Sequence, residues 1–132
     1  GAGSRQVAEG LMLAMRHELL RDGGRRRDSL VERVRAWAMP HLAQRVSLDD
    51  LAAVAGLSRF HFVRAFRAAT GTSPARWLRH QRLQAARTLI LTTDLPLREI
   101  APRAGFADEF QMSRVFRRET GAPPSRLRGG VS

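Results

Sequence analysis

The chain has 132 residues, of which 43% are apolar and 27% are charged, so it contains enough apolar side chains for a folded core. All 23 cationic residues are arginines, and they outnumber the 12 carboxylates for a formal net charge of +11. The chain contains no cysteine, which excludes disulfides, thiolate metal sites and cysteine nucleophiles. No apolar run approaches the roughly 18 residues of a membrane span. The charge surplus predicts a polyanionic partner, with nucleic acid first and an anionic membrane surface second.

The N-terminal part is predicted to consist of a helix and a basic linker, at residues 5–28. A helix is expected from Arg5 to Leu20, because apolar residues recur there at steps of four. The glycines after Asp22 and the run Arg25-Arg26-Arg27 indicate the linker. Residues 1–4 are interpreted as a cloning scar and residues 129–132 as a disordered tail. The start shows no secretory signal pattern, which favours a cytoplasmic protein.

The remaining residues are predicted as a series of helices separated by polar breaks. The first of them begins at Asp28 or Ser29 and ends near Pro40. Alternating apolar patterns typical of strands do not occur, so the fold class is all-α. The further helices are expected at Leu48–Ala55, from Ser58 to about Ala69, from Ala75 to Leu91, between Pro96 and Gly105, and from Asp108 to about Glu119.

An internal repeat is the strongest signal in the sequence. Leu51, Ala52 and Gly56 recur 49 residues later as Ile100, Ala101 and Gly105. Eight further residues recur 50 residues later, namely Phe60, Arg64, Phe66, Arg67, Thr70, Gly71, Pro74 and Arg76. Two short helices joined through a glycine turn form a helix-turn-helix, so the repeat predicts two copies of this motif. The predicted subdomains span residues 29–74 and 93–128, and a linker helix at 75–92 joins them.

The second helix of each copy has an apolar stripe and a rotated, outward stripe. The apolar stripes contain Phe62 and Phe66 in the first copy, and Met112, Val115 and Phe116 in the second. Each outward stripe carries an aromatic residue near the helix start and two arginines further along. We name them the first stripe (Phe60, Val63, Arg64, Arg67) and the second stripe (Phe110, Ser113, Arg114, Arg117). Arginine can bind guanine bidentately and an aromatic ring can contact a thymine methyl group, so these stripes are typical of recognition helices.

Over roughly Leu30 to Arg128 the sequence resembles the DNA-binding domain of the AraC/XylS family of bacterial transcription regulators. The resemblance rests on segments that lie in both copies and in the linker helix. They are Leu51-Ala52-Ala53-Val54-Ala55-Gly56-Leu57-Ser58, Thr70-Gly71-Thr72-Ser73-Pro74, Gln81-Arg82-Leu83-Gln84-Ala85-Ala86, Ile100-Ala101 with Gly105-Phe106, Ser113-Arg114-Val115-Phe116-Arg117 and Gly121-Ala122-Pro123-Pro124. At Phe110 and Met112 the sequence departs from the residues that are usual in the family.

The resemblance implies a function in transcription. Two modules would read successive major-groove segments on one face of double-stranded DNA, about 34–36 Å apart. Family members are usually activators that contact RNA polymerase, and most carry a further domain for effector binding or dimerisation. We therefore expect a bacterial protein of the cytoplasm and nucleoid, with RNA polymerase as a second partner, dimerisation through an N-terminal effector domain, and no membrane partner.

Individual roles are assigned from stripe position, and some alternatives stay open. Arg64 and Arg114 are expected to contact bases, whereas Arg59, Arg67 and Arg117 are expected to contact phosphates. Phe60 and Phe110 either lie exposed for base contact or fill gaps in the core. Glu109 either accepts from cytosine or complements the helix dipole, and His61 is either a phosphate contact or a surface histidine. The predicted DNA-binding set is completed by Val63, Gln111 and Ser113.

Two other classes of function compete with DNA binding as interpretations of the sequence. A basic helical RNA-binding or scaffold protein is the alternative, although no platform for stacking single-stranded bases is evident. An enzyme is not expected, because the sequence shows no nucleophile–base pair, no metal-ligand spacing and no phosphate loop. The sequence accordingly predicts no catalytic residue, no metal and no cofactor.

Overall fold

The computed structural model describes residues 29–128, and within this range every regular element is helical. The first helix, α1, occupies 29–38 and continues into a 3-10 turn at Met39–His41. The following helices are α2 (Leu48–Ala55), α3 (Arg59–Thr70), α4 (Pro74–Thr92), α5 (Leu97–Arg103) and α6 (Glu109–Thr120), and a 3-10 turn at Pro124–Leu127 ends the described range. The all-α prediction is confirmed. The helix expected from Arg5 to Leu20, the basic linker and the tail lie outside the described residues.

The apolar side chains form two separate cores, one for each copy of the repeat. The first core is built by α1, α2, α3 and the start of α4, with Val34, Phe62 and Phe66 fully buried. The second core is built by the end of α4 with α5 and α6, and includes Ile100 and Met112. Helix α4 contributes to both, as expected for a helix that is apolar on two sides. It begins at Pro74, one residue earlier than predicted, because proline suits the first helical turn.

The starts of four helices are fixed by side-chain caps. The Ser47 hydroxyl accepts from the backbone N–H of Asp50 (3.0 Å), and the Asp50 carboxylate accepts from the N–H of Ser47 (2.9 Å). This reciprocal pair forms the capping box of α2. Helices α3, α4 and α6 are each capped by one side-chain acceptor, from Ser58, Ser73 and Asp108 respectively.

The repeat extends to hydrogen bonds at the ends of α3 and α6. The Thr70 hydroxyl donates to the carbonyl of Phe66 (2.8 Å) and accepts from the N–H of Thr72 (3.2 Å). In the second copy the Thr120 hydroxyl donates to the carbonyl of Phe116 (2.7 Å) and accepts from the N–H of Ala122 (3.3 Å). The two copies therefore end their second helices with the same local geometry.

Two arginines join segments that are far apart in the chain. Arg82 of α4 donates to the carbonyls of Leu42 (3.2 Å) and Gln44 (3.0 Å), which precede α2. Arg128 donates to three carbonyls that precede α5, those of Ile90, Thr93 and Leu95. Each arginine thus satisfies backbone acceptors in front of one helix-turn-helix and fixes that motif to the linker helix.

The two copies meet closely at Gly105. A Cβ atom added to this glycine would lie 2.1 Å from the carbonyl oxygen of Leu42 and 2.5 Å from Nε of Arg82. The turn of the second copy therefore packs directly against the loop of the first, with Arg82 between them. This contact sets the position of one helix-turn-helix relative to the other.

Candidate nucleic-acid interface

Helices α3 and α6 each bury one face and expose the stripe predicted to meet DNA. Phe60 is 66% exposed and Phe110 is 70% exposed, whereas Phe62 and Met112 on the opposite faces are fully buried. The prediction that the two contested aromatics lie exposed is confirmed, and the core-filling alternative is wrong. An exposed ring of this size at the start of a helix is available for apolar contact with a partner.

Each stripe also presents two exposed arginines. Arg64 and Arg67 lie on α3, and Arg114 and Arg117 occupy the equivalent positions on α6. Within residues 29–128 none of these four guanidinium groups forms an ion pair with a carboxylate. The Arg64 guanidinium lies over the Phe60 ring, 5.5 Å from its centroid, which is cation–π geometry. The stripes therefore offer cationic donors that no carboxylate of the described residues pairs with.

Arg59 differs from the stripe arginines because it already has an anionic partner. Its Nε and Nη2 atoms donate to Oδ1 and Oδ2 of Asp49 at 2.9 Å and 2.8 Å, joining α3 to α2. This bidentate hydrogen bonding, together with the charge of Arg59, lowers the pKa of Asp49 below its ordinary value. The predicted phosphate contact of Arg59 would therefore compete with the Asp49 carboxylate.

We expect that replacing Asp49 with asparagine increases affinity for DNA of any sequence and makes the dependence of binding on salt steeper. The substitution removes a negative charge and frees Arg59, which adds about 0.9 to the logarithmic salt slope if one more phosphate is neutralised. Fluorescence anisotropy with unrelated duplexes at several salt concentrations measures both changes. Replacing the exposed Asp94, which forms no ion pair in the described structure, is the matched control.

The stability contribution of this pair has a defined pH dependence. Because the pKa of Asp49 is lowered on folding, the pair stabilises the fold above the ordinary carboxyl pKa of 3.8. That contribution decreases as the pH falls below this value and Asp49 becomes protonated. The pair consequently remains intact across neutral pH, and DNA binding should show no change from Asp49 there.

The other predicted residues are located on or beside the stripes. Val63 and Ser113 are partly exposed within them, and His61 is exposed with its Nδ1 3.2 Å from the Ser58 hydroxyl. Glu109 is the first residue of α6, where a carboxylate complements the helix dipole. The side-chain oxygen of Gln111 accepts from the N–H of Ala107 at 2.6 Å, so its amide nitrogen is the group left for a partner.

A cleft of about 670 Å³ lies between the two copies, and one residue of each stripe lines it. Val63 contributes from α3, and Arg114 contributes from α6. One residue of each stripe therefore lines a cleft that the two copies share. The position of this cleft depends on how the two copies pack together, which local sequence patterns do not predict.

The cleft also contains arginines that the sequence analysis did not select. Arg79 and Arg82 lie on the linker helix, and Arg118 follows Arg114 by one helical turn on α6. Arg79 and Arg82 are three residues apart, and Arg114 and Arg118 are four residues apart. Each pair therefore lies on one helix face, a pattern that is visible in the sequence. The sequence-based prediction was limited to the stripes and their neighbours, so it did not include Arg79, Arg82 or Arg118.

Metal-ligand clusters and membrane-spanning helices are both absent between residues 29 and 128. Between residues 29 and 128 no three histidine or carboxylate side chains lie close enough together to hold a metal ion. None of the helices in this range combines the length and apolar character needed to cross a membrane.

Comparison with known proteins identifies the family. A family model described as a helix-turn-helix domain matches residues 51–130, which is more than half of the chain. A solved regulator from Chromobacterium violaceum, described as having an AraC-type DNA-binding domain, is 25% identical with a TM-score of 0.71 over 76% of this chain and 90% of that one. The chain belongs to the AraC/XylS family of DNA-binding domains.

Two further similar proteins are a solved DNA-binding domain and a curated transcriptional activator. The DNA-binding domain of the transcription factor AdpA, solved in complex with a target DNA, is 40% identical with a TM-score of 0.69, and the match covers 75% of this chain and 88% of that one. The transcriptional activator RhaS from Enterobacter sp. (strain 638) is 35% identical over 120 residues. That alignment covers 91% of this chain but 43% of RhaS, so the chain spans less than half the length of this curated relative.

Proposed function

We propose that this AraC-type domain binds double-stranded DNA in a sequence-specific manner, with α3 and α6 in successive major-groove segments. The observation that carries the proposal is that one residue of each stripe, Val63 and Arg114, lines the same cleft. A single duplex can then be contacted by both helices at once. The AdpA domain, which shares 40% identity with this chain, was solved bound to its target DNA.

We assign the roles of the stripe residues by their position along each helix. Arg64 and Arg114 lie one turn after the exposed aromatic residue and are proposed to donate to guanine bases. Arg67 and Arg117 lie one further turn along and are proposed to contact phosphates, with Arg59 and His61 at the border of the first stripe. Phe60 and Phe110 are proposed to contact thymine methyl groups, and Val63, Glu109, Gln111 and Ser113 complete the base-facing surface.

We further propose that the domain serves a transcription activator in the bacterial cytoplasm. This proposal is supported by the curated relative RhaS, which is named a transcriptional activator. This chain matches less than half of the length of RhaS. In this proposal RNA polymerase is the protein partner, and dimerisation occurs through a separate effector domain. We also propose that the two helix-turn-helix subdomains span residues 29–74 and 93–128. The linker helix at 75–92, which lies in α4, connects them.

Selection of bound sequences from a random duplex pool tests the proposed function. Two enriched segments separated by about one helical turn of 10–10.5 base pairs are expected, because each recognition helix reads one segment. Binding should also fall steeply as salt increases, because each neutralised phosphate releases counterions. No enriched sequence, or stronger binding of single-stranded RNA in competition, would support the alternative of a basic RNA-binding protein.

A further inference from the structure

The cleft between the two copies has the size and walls of a small-molecule site. Its volume of about 670 Å³ lies within the range of roughly 300–1,000 Å³ that is usual for ligand pockets. The walls are mainly apolar and include Leu51, Leu78 and Phe106, which are nearly fully buried and therefore belong to rigid parts of both cores. A rigid apolar wall of this kind loses little conformational entropy when it binds a ligand.

The polar part of the cleft is cationic. Four arginines line it, and no carboxylate does so among the described residues. Arg82 is the most enclosed of the four, and burial lowers the pKa of its guanidinium group. Its observed partners are two backbone carbonyls, which are neutral, and no carboxylate between residues 29 and 128 lies within ion-pair distance of it. A partly buried cation without a counterion favours binding of an anion.

We propose that this cleft binds a small organic anion with an apolar body, such as a medium-chain carboxylate. The proposal rests on the juxtaposition of buried apolar walls from both copies with the guanidinium groups of Arg79 and Arg82. Arg118 also lines the cleft, with its Nε 3.6 Å from the Glu119 carboxylate. The chain of the ligand would pack against Leu78 and Phe106, and its carboxylate would accept hydrogen bonds from the arginines.

Such a ligand would also oppose DNA binding, and this second part rests on the proposed function. Arg114 belongs both to the second stripe and to the cleft wall, and Val63 does the same for the first stripe. An occupied cleft places a carboxylate beside Arg114 and apolar atoms beside Val63. The duplex and the ligand would then compete for the same side of the molecule.

Calorimetric titration of the full chain with decanoate tests the binding site. Saturable binding at one site per chain is expected, whereas acetate and decanol, which carry only the anionic or only the apolar part, should bind far more weakly. Ala75→Trp, at an exposed position on the cleft wall, should abolish binding. Ala53→Trp, at an exposed helical alanine outside the cleft, is its control.

Arginine variants test the polar contact separately. Arg79→Ala should weaken decanoate binding by about tenfold, which is the loss of one charge-assisted hydrogen bond. Arg87→Ala, an exposed arginine on the same helix that does not line the cleft, should leave it unchanged. Circular dichroism of each variant identifies any that fails to fold, and a set of variants that all fold and bind alike would overturn the proposal.

The failure of this inference can be distinguished from failure of the proposed function. Decanoate binding that is multiple and unsaturable, or equal for acetate, would overturn the cleft site while leaving sequence-specific DNA binding intact. Conversely, a chain that binds decanoate at one site but selects no DNA sequence would overturn only the function. With both present, decanoate should reduce DNA affinity in the wild type and not in Ala75→Trp, and equal reduction in both would contradict the competition.

Discussion

Replacing Gly105 with alanine is expected to destabilise the chain by about 3 kcal/mol or more. Two costs combine in this variant. The residue has a φ of +97°, which an L side chain rarely adopts, and its added Cβ would lie 2.1 Å from the carbonyl oxygen of Leu42. Backbone atoms cannot move aside without disturbing the hydrogen bonds that Arg82 makes in the same place. Urea denaturation followed by circular dichroism measures the free energy of unfolding.

Gly56→Ala is the matched control because Gly56 occupies the equivalent position in the first copy of the repeat. Its φ is +71°, and an added Cβ would meet no atom within 4 Å. The variant should therefore show only the conformational cost of a left-handed residue, about 1–2 kcal/mol. Equal losses in the two variants would show that the contact between Gly105 and the first copy does not contribute to stability.

The same junction connects stability with DNA binding. Arg82 and Gly105 hold the second helix-turn-helix against the loop that precedes α2, so they fix the angle between the two stripes. Two modules that are held in one orientation lose less entropy when they bind a duplex together than two modules on a flexible tether. The close contact at Gly105 therefore explains why a domain with two separate cores can act as one binding surface.

Most of the helical framework could be predicted from local sequence patterns. Helix α6 is an example, because Asp108 provides a cap and Met112, Val115 and Phe116 provide an apolar face at helical spacing. The repeat then predicted the same arrangement twice, and the exposure of Phe60 and Phe110 followed from their phase relative to the buried residues. These features depend on residues within a few turns of each other.

The contacts that depend on distant residues could not be predicted. Asp49 and Arg59 are separated by a turn whose geometry decides whether they meet. Arg82 bonds the carbonyl of Leu42 across 40 residues, and the cleft arginines come together only when both copies pack on α4. Periodicity within one helix identifies its exposed face, but the direction of that face relative to another helix depends on tertiary packing. The cleft that Val63 and Arg114 both line could therefore be identified only from the structure.

The stripe arginines are expected to differ in what they contribute to recognition. Arg64→Ala should reduce discrimination between the preferred sequence and its single-base variants by about 1–3 kcal/mol at one position of the first segment. Arg67→Ala should weaken all duplexes by a similar factor and reduce the salt slope by about 0.9, because a phosphate contact carries no sequence information. Both side chains are exposed, so neither variant should alter the thermal unfolding temperature appreciably.

Anisotropy titrations against the selected duplex and its point variants measure both quantities, and the second copy supplies an internal replicate. Arg114→Ala should relax preference at one position of the second segment, and Arg117→Ala should act as Arg67→Ala does, since the residues are equivalent in the repeat. Phe60→Ala adds a further distinction. It removes the ring beneath the Arg64 guanidinium, so it should partly reproduce the loss of discrimination seen for Arg64→Ala. If Arg64→Ala and Arg67→Ala gave the same profile across sequence and salt, the division between base and phosphate contacts would be wrong, although DNA binding by the two stripes would stand.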